Sequence, residues 1–92
     1  FEWDNRKETA NVKKHGVSFV EARTAFYDEG AIQFYDPDHS EQEDRFILLG
    51  LSLKPQVLVV CHCFRESETI VRIISARKAD KDEEQVYWER RR

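Results

Sequence analysis

Methionine is absent from this 92-residue chain, and glycine, proline and cysteine are scarce, with three, two and two residues. A chain without methionine even at its first position reads as one trimmed from a longer start. None of the three glycines sits in a Gly-rich phosphate-binding pattern, which removes nucleotide-loop chemistry. The two cysteines, Cys61 and Cys63, stand two apart in an apolar run. On a strand they point the same way from one chain segment, a geometry poorly suited to a mutual disulfide, so they read as buried thiols of a reducing, cytoplasmic setting. Metal-ligand spacing is missing too. His15, His39 and His62 lie in separate segments, no Cys-x-x-Cys or His-x-His occurs, and Cys61-His62-Cys63 alternates across a strand, so no metal or other cofactor is expected. No apolar run approaches the roughly 18 residues of a membrane span, and no charged-then-apolar leader precedes Phe1. An excess of basic charge is lacking as well, since 15 Lys and Arg face 18 Asp and Glu for a net charge of −3. Any grip on nucleic acid must then come from a local cationic patch.

What is present suits one small domain spanning residues 1–92, with 40% hydrophobic and 36% charged residues around a single modest core. Asp4 is placed to cap a helix that runs to about Lys14, and Gly16 follows as the left-handed residue past its end. Ser18 with Glu21 reads as a capping box for a second helix, whose Phe19, Ala22 and Phe26 share a core face. From Ala31 the period changes to two. Strands are expected from Ala31 to Asp36, Arg45 to Ser52, Val57 to Phe64 and Thr69 to Ala76, with short connections that force antiparallel pairing. Gly50 marks a bulge or a close approach in the second strand. A last helix begins near Asp80. The predicted class is α+β, two N-terminal helices packed on a four-stranded antiparallel sheet with a C-terminal helix.

Odd-to-odd pairing of the third and fourth strands would gather Val57, Val59, Cys61, Cys63, Val71 and Ile73 on one apolar face, which belongs under the helices. Leu58, Val60, His62, Phe64, Ile70, Arg72 and Ile74 would then form an open face, with His62 and Arg72 opposite or diagonal to each other. A mid-strand arginine needs a partner or solvent. The stretch from Arg72 to Lys78 therefore stands out as equipment for gripping a phosphodiester, the alternative being edge charges paired with carboxylates such as Glu43, Glu68 or Glu84.

Phe1-Glu-Trp-Asp4, Asn11, Lys14-His-Gly-Val-Ser-Phe19, Asp38-His-Ser40 with Glu43 and Arg45, Gly50, and Arg72-Ile-Ile-Ser-Ala-Arg77 with Glu84 and Tyr87 together resemble the BrnT family across nearly the whole chain. The resemblance implies the toxin half of a bacterial type II toxin–antitoxin pair, a ribonuclease of RelE-like fold that arrests translation. It further implies a BrnA-like DNA-binding antitoxin, operator DNA reached only through that antitoxin, and a toxin homodimer within a heterotetramer. Metal-free RNA cleavage uses the ribose 2′-OH as nucleophile, so the protein must move its proton, stabilise charge on the phosphate and serve the leaving 5′-oxygen. On that chemistry Arg72 and Arg77 are the expected clamp, and His62 and Tyr87, with His39, the expected proton-transfer groups. Lys78, His39, Arg45 and Lys14 are the expected RNA contacts. The competing reading is a non-catalytic module that binds a partner protein through Leu58, Val60 and Phe64.

Overall fold

The computed structural model describes residues 1–91. Its elements follow in the order α1 (Asn5–His15), α2 (Phe19–Ala25), β1 (Ile32–Tyr35), a 3-10 turn (Pro37–His39), β2 (Arg45–Leu51), β3 (Val57–Arg65), β4 (Ile70–Lys78) and α3 (Lys81–Arg91). The strands form one antiparallel sheet in sequence order, as the short connections require. The α+β expectation stands. Asp4 caps α1 by accepting from the Arg6 and Lys7 amides, and Gly16 ends it at φ 70°. Ser18 caps α2 by accepting from the Glu21 amide, yet the Glu21 carboxylate turns inward to Ser52 and Gln56 and leaves the capping box half made. Strand β4 runs two residues further than expected and so carries Arg77 into the sheet.

The two faces of β3 are reversed relative to the sequence expectation, while in β4 Ile73 lies under the helices and Arg72 on the open face as expected. Helices α1 and α2 cover Leu58, Val60, Ile73 and Ala76, with Val17, Phe19, Ala22 and Ala25 supplying the helical side of this core. His62 lies in the same layer with no exposed surface. Val57, Val59 and Leu49 occupy the other face, where Tyr87 of α3 covers one end. Gly50 decides which face the helices take. It pairs with Leu58, and a Cβ at that position would lie 2.8 Å from the Ala25 carbonyl oxygen, so α2 approaches where the sheet offers no side chain. Covering the other face would have desolvated Arg45 and Arg77.

A β-bulge accounts for the second departure. Cys61 pairs with Ser75 but His62 pairs with Ile73, which leaves Ile74 as an extra residue in β4. Odd-to-odd pairing holds on one side of the bulge and fails on the other. His62 and Arg72, expected as neighbours, thus lie on opposite faces. Arg72 and Arg77, which strict alternation would separate, share the open one.

Candidate functional site

Strand pairing lays the open face out as rows. Arg45, Cys63 and Arg72 form one row across β2, β3 and β4, Ile47, Cys61 and Ser75 the next, and Leu49, Val59 and Arg77 a third. Neighbours within a row are about 5 Å apart and successive rows roughly 7 Å apart. An open groove of about 350 Å³ lies over this surface. Ile47, Val59, Cys61 and Ser75 contribute its floor, and His15, His39, Arg45 and Arg77 its rim.

His39 is presented by the turn after β1. Pro37 starts that turn, and the Asp36 carboxylate accepts from His39 Nδ1 at 2.9 Å. The Asp36 side chain is 10% exposed and the imidazole 66%, so a shielded anion holds an accessible ring. That bond fixes the proton on Nδ1 and leaves Nε2 to accept one. Ser40 fastens the loop, its hydroxyl donating to the Asp36 carbonyl and accepting from the Arg45 amide at 2.9 Å.

The cations differ in how far they are committed. Arg77 meets Glu83 end-on, Nη1 and Nη2 each donating at 2.8 Å, and this pairing raises the guanidinium pKa and lowers that of the carboxyl. A guanidinium carries five donors in a rigid fork. Among the described residues, the Nε–H and the outer Nη2–H of Arg77 make no hydrogen bond, which leaves a second two-pronged edge for an oxyanion. Arg45 touches Glu43 only loosely, at 3.6 Å, and its buried Nε has no partner among the described residues. Arg72 is engaged by Glu2 at 2.6 Å, and Glu2 itself adds to the β4 edge through its backbone at Val71 and Ile73.

Asn11 pins the strand that carries this equipment. Its amide donates to the Val17 and Ala76 carbonyls at 2.8 Å each and accepts from the Ala76 amide at 3.1 Å. The free edge of β4 is thereby satisfied by a side chain of α1, which also sets His15 beside Ser75. Lys7 and Lys14 line a shallower hollow continuous with the groove through His15, Ile74 and Ser75. Burial pushes the Cys61 thiol up, against the pull of Arg45, so it stays protonated and serves as floor.

The remaining expected residues lie elsewhere. His62 is caged by Phe26, Phe46 and Phe64, with Nδ1 3.1 Å from the Val60 carbonyl and Nε2 2.9 Å from the Gln33 amide. Burial lowers its pKa and favours the neutral ring, whose N–H donates to one of the two oxygens it faces, the Val60 carbonyl or Gln33 Oε1. Tyr87 has no exposed surface, its hydroxyl donating to Asp28 and accepting from Arg91 at 2.6 Å. Burial opposes ionisation of Asp28, but the bonds from Tyr87, Leu51, Arg91 and Gly30 prevail and hold it at about 2. Lys78 pairs with Leu58 and is exposed at the strand end, off the groove. The structure thus gathers His39, Arg45 and Arg77, flanks them with Lys14, and adds Asp36 and His15. Asp36 carried a readable signal, an acid three residues before a histidine in a Pro-containing turn.

Among the described residues no group of three or more His, Cys, Asp or Glu side chains is placed to hold a metal ion, and no helix is long and apolar enough to cross a membrane. Fold and groove define a small α+β protein with a cationic, partly open sheet face suited to an anionic polymer. The profile of the family described as "Ribonuclease toxin, BrnT, of type II toxin-antitoxin system" matches residues 3–83, and the chain belongs to that family. The crystal structure of the Brucella abortus ribonuclease toxin BrnT superposes with a TM-score of 0.64 at 25% identity, covering 86% of this chain and 94% of that one. No curated protein matches the chain. Membership of a type II toxin family implies an antitoxin partner.

Proposed function

We propose that the open groove cleaves RNA by metal-free transesterification, and the observation that carries this reading is the shielded Asp36 holding His39 at the rim beside Arg45 and Arg77. His39 Nε2 takes the proton of a ribose 2′-OH as its oxygen attacks the adjacent phosphorus. Arg77, through its unengaged edge, and Arg45 bind the phosphoryl oxygens as negative charge gathers there. The bond to the 5′-oxygen breaks, His15 supplies the proton that oxygen needs, and a 2′,3′-cyclic phosphate and a free 5′-OH result. Lys14 and Lys7 attract the chain on one flank, and Asp36 is a positioning residue that never meets the substrate. Arg72 acts further out, toward a neighbouring phosphate.

The partner we propose is a BrnA-like DNA-binding antitoxin that closes the groove with an acidic, amphipathic segment in the cytoplasm. It alone reaches operator DNA, within a heterotetramer containing two toxins, and without it translation stops. The competing protein-binding reading relied on Leu58, Val60 and Phe64 as an open surface, and Leu58 and Val60 are instead fully buried under the helices. A direct test incubates the purified protein with total RNA and EDTA. Cleavage should persist, and should vanish in His39→Ala and Arg77→Ala proteins that still melt cooperatively. Abolition by EDTA with rescue by a divalent ion would sink the mechanism.

A further inference from the structure

Past Ile47 and Val59, which it shares with the groove, the open face continues into a cleft of about 240 Å³ against α3. Phe34, Leu49 and Val86 complete its apolar walls, and Glu83 is the polar member of its lining. Phe34 and Val86 are 36% and 42% exposed, unusual for large apolar side chains beside a well-formed core. Arg90 stands over the Phe34 ring at 6.0 Å, so the wall presents an aromatic face next to a cation. Glu83 links cleft to groove, because the carboxylate that lines the cleft is the one that holds Arg77. Its Oε1 accepts from Arg77 and from the Asp80 amide, while Oε2 accepts from Arg77 alone and keeps a lone pair for another donor.

We propose that this cleft is a base-recognition subsite, in which the nucleotide whose phosphate meets Arg77 stacks its base between Phe34 and Val86 while Glu83 favours bases with an exocyclic amino group over uracil. The proposal rests on reading the groove as the cleavage site. Stacking on an aromatic side chain tolerates any base, so the discrimination falls to the carboxylate. Adenine, cytosine and guanine offer amino hydrogens to an acceptor-only group. Uracil sets its one N–H between two carbonyls, which a carboxylate repels. Continuity with the groove and the shared Arg77–Glu83 contact favour an RNA base over a protein side chain as the occupant.

The test uses the full chain and short DNA oligonucleotides carrying a single ribonucleotide, so that one bond is cleavable, with the base on each side of it varied in turn. At one of the two positions amino-bearing bases should raise kcat/KM about tenfold over uracil. Glu83→Gln should shift that ratio toward uracil, and Val86→Trp, an exposed helix position, should flatten it by filling the cleft. Phe34→Ala should flatten it as well by removing the stacking wall. Equal rates for all bases, or an unchanged ratio in Val86→Trp, would overturn the subsite while leaving the ribonuclease reading intact. Failure to cleave any oligonucleotide would overturn both. Loss of antitoxin binding in Val86→Trp with the base ratio preserved would reassign the cleft to the partner protein and overturn the proposal.

Discussion

His62 and His39 belong to opposite faces of one sheet and show what each face is for. Both ring nitrogens of His62 have partners inside the fold and the ring has no exposed surface, whereas His39 spends only Nδ1, on Asp36, and is 66% exposed. The covered face has used up its polar capacity. The open face keeps some in reserve, in His39 Nε2 and in one edge of Arg77. A polar group that is fully bonded rigidifies a core, and one left half bonded at an accessible rim can still meet a substrate.

Exchanging alanine into the two histidines should break that comparison most sharply. His39→Ala removes the proton acceptor and should lower cleavage by about 10²- to 10⁴-fold with an unchanged melting temperature. His62→Ala empties a caged site and should destabilise by roughly 2–4 kcal/mol, while the protein that remains folded still cleaves. Cleavage lost and stability kept in His62→Ala would reverse the assignment of the faces.

The two arginines sharpen the contrast within the open face itself. Arg77→Ala should cost about 10²- to 10³-fold in kcat, because it deletes donors aimed at developing charge. Arg72→Ala should cost less than about tenfold, since that guanidinium is engaged by Glu2 and does not line the groove. Equal losses for both would place the scissile phosphate nearer Cys63 than the geometry here allows. A smaller effect, on stability alone, is expected from Tyr87→Phe. Removing that hydroxyl strips a bond from the Asp28 carboxylate and should destabilise by about 1–3 kcal/mol without changing the cleavage rate at low temperature. A selective loss of activity in Tyr87→Phe would return that side chain to the chemistry.

Element order, caps and the antiparallel meander were legible because each rests on local signals, Asp4 and Gly16 on capping and the strands on alternation. The Arg72–Arg77 stretch was legible as cationic for the same reason. Which face is open was not, since β3 is apolar on both sides and periodicity cannot rank two apolar faces. The decision came from Gly50 and the Ala25 carbonyl, residues distant in sequence whose meeting is a tertiary fact. The bulge at Ile74 was equally hidden, because the Asn11 bonds at Ala76 accompany it from 65 residues away. Once the phase slips there, Arg72 loses His62 as a neighbour and gains the face of Arg77.

The smallest expected effect is a pH dependence of stability. Burial holds the His62 pKa below its ordinary 6.5, so the folded state resists a proton that the unfolded chain accepts. The stability this neutral ring contributes is fully present above 6.5 and is lost as pH falls through the depressed folded value. Asp28 behaves alike in a lower window, its share present above 3.8 and fading as pH falls toward about 2. Chemical denaturation from pH 7.5 to 4.5 should therefore show stability declining below 6.5, with the slope reduced in a folded His62→Gln protein. A slope that survived His62→Gln unchanged would mean that the caged histidine does not couple protonation to folding.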